Sequence, residues 1–463
     1  MSDTNNSTVM VEMTKQKRTV FVIGTMLLFA GFAASNFASG VAMPAKLTAI
    51  GGMDYYALCG VLGALGIMLS LPLVGKLSEI FGGKAVVIFG IIFQFATRFA
   101  IAFITDVNGF MVLYLLTSIG AGLIASAPFA FIANVFPREE CPKYYGLLTT
   151  FRAVGSLAGP LLAGVMNDMG YVNFAFIAYI PFTIISIPII LILFPNIKTK
   201  QTAGTKFDVG GIILLVVGLS GIVLWLSLSG KNFSWISIPS IALLVVGVLA
   251  LFFLVRVESK HPNPTVPILM FKKRRFTIAF LCMMLVSAFT TSSASFAIAY
   301  AQGVMQVSST LSGTITMPQT IVQLALGTVI GVFLSSSFAK RFRPLAILSL
   351  ILVVVASFAL YFLTPTSSMA LIYFSTGVGG LGMIVPIAAF TPFFQSELQP
   401  QEIASAMAMY SFGASGGSTI FGSIAGAVMN SGGSFNSVFL LGAVFCMIAL
   451  VIGVFGFRPL TKK

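Results

Sequence analysis

Charged residues are scarce in this sequence of 463 residues. Only 8% of them are Asp, Glu, Lys or Arg, whereas 57% are hydrophobic. A water-soluble globular protein carries roughly a quarter charged residues, so this chain has too few of them to cover a surface that faces water. The composition excludes a soluble protein and predicts an integral membrane protein.

Histidine and cysteine are also rare, with one and four residues respectively. The cysteines stand at positions 59, 141, 282 and 446, without the spacing of a metal site or a pair, and we expect free thiols. The sequence has no catalytic constellation, and it lacks the G-x-x-x-x-G-K-[ST] loop that an ATP-driven pump needs. We therefore expect no enzyme activity, no cofactor and no bound metal.

Long apolar runs occupy most of the chain. A window of about 20 residues, the length of a helix that crosses a bilayer, finds fourteen candidate spans. They predict an all-α membrane protein with 14 transmembrane helices. The predicted spans cover residues 19–43, 55–75, 85–105, 110–135, 144–167, 172–194, 209–229, 235–256, 277–300, 311–336, 344–364, 369–393, 403–429 and 436–457.

The basic residues alternate with these spans. Counted from the N-terminal tail, 22 of the 26 Lys and Arg residues fall on the side of the membrane that holds both termini. Only Lys46 and Lys231 fall on the other side, and Arg98 and Arg152 lie within spans. An excess of Lys and Arg marks cytoplasmic loops, so both termini are predicted to be cytoplasmic, in a plasma membrane. The net charge of +14 is then a topology signal, and we expect no nucleic-acid partner.

The segment GKLSEIFGGK, residues 75–84, follows the second span. Gly75 and Gly82 flank what we predict to be a tight loop that holds Glu79 and Lys84. A carboxylate beside a helix N-terminus or a lysine gains charge–dipole and ion-pair energy. We predict that Gly75, Glu79, Gly82 and Lys84 form a conformational latch. An ordinary solvated loop is the alternative.

The fifth span contains a second glycine-rich segment, GSLAGPLLAG, at residues 155–164. Gly155 and Gly159 are four residues apart, so they share one helix face and let a neighbouring helix approach closely. Pro160 bends or loosens the helix at that contact. With Gly164, these residues predict a seam along which helices move, and static packing is the alternative.

Together with YAQGVMQVSSTLSGTITMP at residues 300–318, these motifs resemble those of the major facilitator superfamily, specifically its fourteen-span drug:proton antiporter branch. The resemblance implies the major facilitator fold, with two six-helix bundles and two extra helices between them. It divides the chain into a cytoplasmic tail (1–18), an N-terminal bundle (19–195), the two additional helices (196–257), a cytoplasmic loop (258–275), a C-terminal bundle (276–457) and a second tail (458–463).

The same resemblance implies a function. It predicts a secondary active transporter that moves amphipathic organic compounds by alternating access, as in multidrug efflux coupled to protons. It also implies that the glycine seam of the fifth span limits leakage. The expected partners are a small amphipathic organic substrate, protons as coupling ion and the lipid bilayer, and we expect a monomer.

Arg152 lies in the fifth span, about 12 Å from its predicted start at Tyr144. A charged residue at this depth is a functional-site hypothesis by default. None of the twelve acidic residues is predicted at mid-membrane, since each falls in a tail, a loop or the end turn of a span. We predict that Arg152 binds substrate together with six neutral polar residues of the spans: Ser35, Asn36, Gln302, Gln319, Gln323 and Tyr410.

The lack of a buried acid leaves two transport functions open. The seam favours export of the multidrug type. An arginine among amides and hydroxyls favours uptake or exchange of an organic anion, bile-acid-like or a carboxylic acid, held by a charge-assisted hydrogen bond to Arg152. A purely structural role for Arg152 is a third alternative. Arg98, in the third span, is interpreted as a structural residue.

Overall fold

The computed structural model describes residues 14–52, 55–137, 139–177, 179–194, 208–229, 233–259, 264, 266–307, 311–312, 314–399 and 402–457. These residues are almost entirely α-helical, which confirms the predicted all-α class. The first helix begins at Lys15, so the last four residues of the predicted N-terminal tail are helical. Residues 1–13 and 458–463 of the two predicted tails lie outside the described part.

Seven helices precede the predicted additional pair, and we refer to them as the N-terminal helices. Within this group α1 packs on α6 and α7, while α4 packs on α2 and α3. A short 3-10 helix, Val172–Ile177, joins α6 to α7. The α-helices are α1 (Lys15–Ala49), α2 (Tyr56–Phe81), α3 (Gly83–Phe103), α4 (Val107–Ala125), α5 (Ala127–Val135), α6 (Cys141–Asp168) and α7 (Ile180–Leu193).

The next two helices, α8 (Val209–Leu228) and α9 (Ile238–Glu258), pack on each other. Their backbones approach closely at glycines: a Cβ on Gly221 would lie 2.8 Å from the Cα of Gly247. The helix α9 carries large apolar side chains that are about half exposed, including Phe252 and Phe253. Such a surface is typical of a helix that faces lipid.

Seven further helices, which we call the C-terminal helices, complete the chain. Here α13 packs on α14 and α16, and α10 packs on α15 and α16. A π-helical segment, Ser292–Phe296, connects α10 to the next helix, α11. The α-helices are α10 (Arg274–Thr291), α11 (Ala297–Gly303), α12 (Met317–Ser335), α13 (Phe338–Tyr361), α14 (Met369–Gln395), α15 (Ile403–Asn430) and α16 (Phe435–Gly456).

Every predicted span coincides with one helix or with consecutive helices. Eleven helices of the described part are long and apolar enough to cross a membrane. The other three candidates fall short for different reasons. The helix α7 has 14 residues, the described apolar stretch of α8 is Gly210–Leu226, and α15 is long enough but rich in Gly and Ser. The count of fourteen spans stays a prediction.

The loop predicted between the second and third spans was wrong. The region between Gly75 and Gly82 is not a loop, because α2 continues to Phe81. The turn is Gly82 itself, whose φ of +86° is accessible to glycine, and α3 begins at the next residue. The fourth predicted span is divided at Ser126 into α4 and α5, since Pro128 near the start of α5 cannot continue the preceding helix.

The two ends of the bundle differ in charge. The end at which α1 begins carries ion pairs between Arg18 and Glu140, between Lys273 and Glu402, and between Arg275 and Glu397. We call it the basic end, and it is the end predicted to face the cytoplasm. The other is the opposite end. There the buried amine of Lys46 donates a hydrogen bond to Asn173 Oδ1 over 2.6 Å.

Candidate functional site

Arg152 lies on the interior face of α6. It follows Tyr145 by seven residues, or two helical turns, so the two side chains share a face. Tyr145 is fully buried and is hydrogen-bonded to Gln395 at the end of α14, which belongs to the C-terminal helices. Arg152 is therefore about 10 Å from this contact along α6, toward the opposite end. Its side chain is partly exposed and makes no hydrogen bond or ion pair with any residue that the structure describes.

The same helix packs directly on α12 of the C-terminal helices. A Cβ on Gly146 would lie 2.4 Å from the carbonyl oxygen of Gly327. One turn further along α6, the hydroxyl of Thr150 is 3.0 Å from that of Thr328 and 3.5 Å from the carbonyl oxygen of Leu324. The residue numbers rise along α6 as they fall along α12, so the two helices are antiparallel.

This register places Gln323 of α12 at the level of Arg152. Gln323 precedes Gly327 by four residues and lies on the same face of α12. Its side chain is only 4% exposed, and its Nε2 has no hydrogen-bond partner in the described chain. The guanidinium of Arg152, in the N-terminal helices, and the amide of Gln323, in the C-terminal helices, thus lie at one depth. Neither donor has an acceptor in the described chain.

Gln319, predicted beside Gln323, lies one turn nearer the opposite end. Its backbone packs against Gly380 of α14, where a Cβ would come within 2.7 Å of the Gln319 Cα. Its side chain is partly exposed. Gln319 is therefore at the contact of α12 with α14 and about 6 Å from the level of Gln323.

The two predicted residues of α1 point in different directions. Ser35 is fully buried, and its hydroxyl accepts a hydrogen bond of 2.9 Å from Gln94 of α3. Asn36 is partly exposed and donates to the carbonyl oxygen of Phe32 in its own helix. A Cβ on Gly40, one turn beyond Asn36, would meet no atom within 4 Å. The amide of Asn36 is thus bonded within α1, whereas Ser35 helps to hold α3.

Asn36 and Arg152 are separated along the bundle. Gly155 packs against the backbone of Ala30, and Gly159 packs against that of Ala34. Because α1 and α6 run parallel in this register, Asn36 lies about 13 Å beyond Arg152 toward the opposite end. The predicted residues thus lie at two or more depths rather than in one compact pocket.

Two further predicted residues lie in the C-terminal helices. Tyr410 of α15 is 6% exposed, and its hydroxyl donates a hydrogen bond of 2.8 Å to the carbonyl oxygen of Pro386 in α14. A helix carbonyl oxygen has two lone pairs, so it can accept a side-chain hydroxyl in addition to its helical hydrogen bond. The backbone of Gln302 belongs to α11, and its side chain lies outside the described part.

The predicted seam divides into two parts. A Cβ on Gly155 would lie 2.1 Å from the carbonyl oxygen of Ala30, and a Cβ on Gly159 would lie 2.2 Å from that of Ala34. These two glycines, with Pro160 next to them, form a close contact of α6 with α1. Gly164 does not belong to it, because a Cβ there would meet no atom within 4 Å.

The residues of the predicted latch also separate. Gly75 faces the C-terminal helices, where a Cβ would lie 2.9 Å from the Cα of Ser405 in α15. Lys84 instead donates to the carbonyl oxygen of Leu191 over 2.6 Å, at the end of α7, where a cation complements the helix dipole. The side chain of Glu79 lies outside the described part.

The contacts that join the two groups of helices lie between mid-depth and the basic end. They include Gly146 with Gly327, Tyr145 with Gln395 and Gly75 with Ser405. Toward the opposite end, a Cβ on Gly40, Gly164 or Gly426 would meet nothing within 4 Å. The two groups of helices are therefore packed together, and closed, at the basic end.

The charged residues in the middle of the described helices are cations, Arg98 and Arg152. All the acidic residues in the described ranges stand at helix ends: Glu79, Asp106, Glu139, Glu140, Asp168, Asp208, Glu258, Glu397 and Glu402. This agrees with the placement predicted from the sequence. The site around Arg152 therefore offers hydrogen-bond donors and a positive charge, which suit a ligand that carries acceptors or negative charge.

The second arginine of the spans, Arg98, has a different environment. It is 2% exposed and donates a hydrogen bond of 3.0 Å to the carbonyl oxygen of Phe176. Its guanidinium lies 5.2 Å from the ring centre of Tyr179. Arg98 joins α3 to the connection between α6 and α7, in agreement with its predicted structural role.

The sequence reasoning missed Tyr145 and Gln395, which are 250 residues apart. It also missed the close contact of Gly146 with Gly327 and Gly331. The last two glycines are four residues apart, so the small-xxx-small pattern could have indicated this helix contact. No sequence signal links Tyr145 to Gln395, because both side chains are ordinary in apolar helices.

Comparison with known protein families gives one match that spans most of the chain. The family described as Major Facilitator Superfamily matches residues 21–417. The fold is shared with a solved structure of the fucose:proton symporter FucP of E. coli, which is 14% identical in sequence. The match covers 94% of this chain and 98% of that chain, with a TM-score of 0.62.

Two bacterial proteins are similar over nearly the whole sequence. Multidrug resistance protein 3 of Bacillus subtilis is 27% identical over 419 residues, which are 89% of this chain and 80% of the relative. The multidrug transporter protein MdtP of the same organism is 26% identical over 420 residues, which are 90% of this chain and 76% of the relative.

Proposed function

Because the chain belongs to the major facilitator superfamily and is a secondary membrane transporter, we propose that it exports amphipathic organic compounds of the multidrug type in exchange for protons. The observation that carries this proposal is the arrangement of glycine contacts around α6. One face packs on α1 at Gly155 and Gly159, and another packs on α12 at Gly146. The similarity to two proteins named for multidrug resistance or transport supports the substrate class.

Alternating access follows from these contacts. Close packing of backbones without interlocking side chains allows helices to tilt or slide against each other. Opening of the basic end requires Gly146 to leave Gly327, Gly75 to leave Ser405 and the hydrogen bond between Tyr145 and Gln395 to break. The contact of α6 with α1 lies within one group of helices and is retained while the two groups rock.

The experiment that tests this proposal measures flux in liposomes that contain the purified protein. Lipophilic cationic and neutral dyes are loaded, and an inward or outward proton gradient is imposed. The proposal expects dye movement that depends on the protein and speeds up when protons flow the other way. An equal rate of dye movement with and without the proton gradient would refute proton coupling. If the protein moves none of the amphipathic compounds tested, the export proposal itself is refuted.

A second candidate function is favoured by the charges at mid-depth. Arg152 and Gln323 present donors at one level, and the acidic residues of the described chain stand at helix ends. A charge-assisted hydrogen bond to a guanidinium is about twice as strong as a neutral one. Uptake or exchange of an organic anion, bile-acid-like or a carboxylic acid, is therefore the alternative to export of a cationic compound.

A thermal-shift screen on the purified protein distinguishes the two candidates. Lipophilic cations and organic anions of matched size are compared at equal concentration, because a ligand that binds the folded state raises its melting temperature. Stabilisation by anions alone favours the second candidate. Stabilisation by cations alone excludes Arg152 as the anchor of the substrate.

The orientation is also part of the proposal. The basic end is proposed to face the cytoplasm, with both termini inside a plasma membrane, on the strength of the excess of Lys and Arg at this end. A cysteine introduced at Lys340, which is exposed at the basic end, should be protected from a membrane-impermeant thiol reagent in intact cells. Labelling of that cysteine in intact cells would reverse the orientation.

A further inference from the structure

The run of four basic residues at the start of α10, KKRR at positions 272–275, is divided between two environments. Lys273 Nζ is 2.5 Å from Glu402 Oε2, and Arg275 Nε is 3.1 Å from Glu397 Oε1. Both pairs tie α10 to the connection between α14 and α15. Lys272 and Arg274 are exposed, and neither is paired with a carboxylate in the described ranges.

Lys272 and Arg274 line a concave surface with a volume of about 460 Å³. Its walls come from the start of α10 and the end of α16, and they are mainly apolar. The apolar lining residues are Phe271, Ile278, Ile452 and Phe455. The ring of Phe455 is 77% exposed, and Arg274 Nη2 is 3.4 Å from the carbonyl oxygen of this residue.

The concavity lies at the basic end of α10 and α16. The helix α16 ends at Gly456, and α10 begins at Arg274, so both reach their limits at the basic end. From Phe276 onward α10 is apolar, and so is α16 up to its end. Cations therefore stand on one side of the concavity and apolar side chains on the other.

We propose that this surface, formed by Lys272, Arg274 and the apolar residues of α10 and α16, is a binding site for an anionic glycerophospholipid. The phosphate and headgroup bind between the two cations, and an acyl chain lies along Ile452 and Phe455. Basic pockets between transmembrane helices on this side of a membrane are suited to such headgroups. The charge complementarity selects an anionic lipid, since two cations without acids would repel a cationic group.

The alternation within KKRR supports one lipid site rather than a general basic surface. Lys273 is paired with Glu402 and Arg275 with Glu397, so the protein neutralises the charges of these two odd-numbered residues. The even-numbered residues keep their charge for an external anion. The two roles are separable by substitution, because they fall on different side chains of one segment.

The experiment uses the full chain in detergent and counts bound lipids by native mass spectrometry. The probes are phosphatidylglycerol, phosphatidylcholine with the same acyl chains, and inorganic phosphate. The wild-type protein is expected to retain one phosphatidylglycerol in preference to phosphatidylcholine. The variant K272Q/R274Q should bind it about thirtyfold more weakly, the factor expected for two cations near an anionic lipid surface.

The matched control is K340Q/R343Q, which removes the same charge from exposed positions of α13 at the same end. It should retain the preferential binding. Equal loss in both variants, or unchanged binding in K272Q/R274Q, overturns the proposal. Binding of inorganic phosphate without binding of phosphatidylglycerol would assign the site to a free anion, and this result also overturns the proposal.

A second variant covers the case in which K272Q/R274Q does not fold. I452D keeps both cations and places a carboxylate on the apolar wall, so it should also abolish the preference for phosphatidylglycerol. The melting temperature without added lipid checks folding of each variant. These outcomes are independent of transport, so they stand apart from the proposed function.

Discussion

The amide of Gln395 donates a hydrogen bond of 3.1 Å to the hydroxyl of Tyr145, and this bond joins the two groups of helices at the basic end. Both side chains are at least 99% buried. Gln395 also contacts the sulfur of Met407, so its orientation is fixed from α15 as well. Closure of the basic end therefore includes a specific polar contact between α6 and α14.

Tyr145→Phe should shift the protein toward states that are open at the basic end. Loss of one neutral hydrogen bond costs about 1 kcal/mol, which is about a fivefold change in population. Distances between spin labels at Glu139 and Lys340, both exposed at this end, report the change. Tyr144→Phe is the matched control, since the Tyr144 ring packs on Phe136 within the N-terminal helices. Equal shifts in both variants would refute a gate at Tyr145.

Arg152→Gln should weaken transport of an organic anion and leave the melting temperature nearly unchanged, because Arg152 has no partner in the described structure. A hydrogen bond to a charged group contributes about 1.5–3 kcal/mol, so the affinity should fall by about 10- to 100-fold. Arg152→Lys should retain part of it. Direct binding measured with radiolabelled anion checks this. Unchanged affinity in Arg152→Gln would leave the arginine only a structural role.

Arg98→Gln should have the reverse phenotype. Arg98 is buried and bonded to the carbonyl oxygen of Phe176, so the variant should lose about 1.5–3 kcal/mol of stability. The substrate affinity of the folded fraction should be unchanged. Thermal unfolding and ligand binding on the same sample separate the two effects. A loss of affinity without a loss of stability would move Arg98 into the substrate site.

Gln323→Leu should raise the melting temperature of the protein without ligand. The Nε2 of Gln323 is a buried donor without an acceptor in the described part, and such a group costs about 1–3 kcal/mol. The same variant should reduce the stabilisation by an acceptor-bearing substrate. Gln94→Leu is the matched control, and it should lower the melting temperature because Gln94 is bonded to Ser35. If Gln323→Leu lowers the melting temperature, the amide of Gln323 has a hydrogen-bond partner in the wild-type protein in solution.

Gly155→Ala and Gly159→Ala should both destabilise the protein and slow transport. The added methyl groups would lie 2.1 and 2.2 Å from carbonyl oxygens of α1, so the helices must move apart. Gly164→Ala is the internal control. Its methyl group meets open space, and alanine favours the helix by up to about 1 kcal/mol. Thermal unfolding and dye flux measure both. Equal effects at all three positions would contradict the α1 contact.

The helical class and the helix positions followed from the sequence, since a run of about 20 apolar residues has few other solutions in a membrane. The close approach at Gly155 and Gly159 also followed from their spacing. The spacing did not give the partner helix, and it included Gly164, which faces open space. The latch was assigned to a loop because the pattern of small residues does not reveal that α2 continues to Phe81.

The sequence by itself determined that this chain is a membrane protein of helices whose interior carries cations and whose acids stand at helix ends. Only the tertiary structure decided which neighbouring residue faces which helix, as with Ser35, which is bonded to Gln94 of α3, and Asn36, which is bonded within α1. The physical reason is the solvent. In a bilayer the lipid-facing and protein-facing sides of a helix are both apolar, so no hydrophobic period marks the interior face. Contacts such as Tyr145 with Gln395 arise from packing between distant segments.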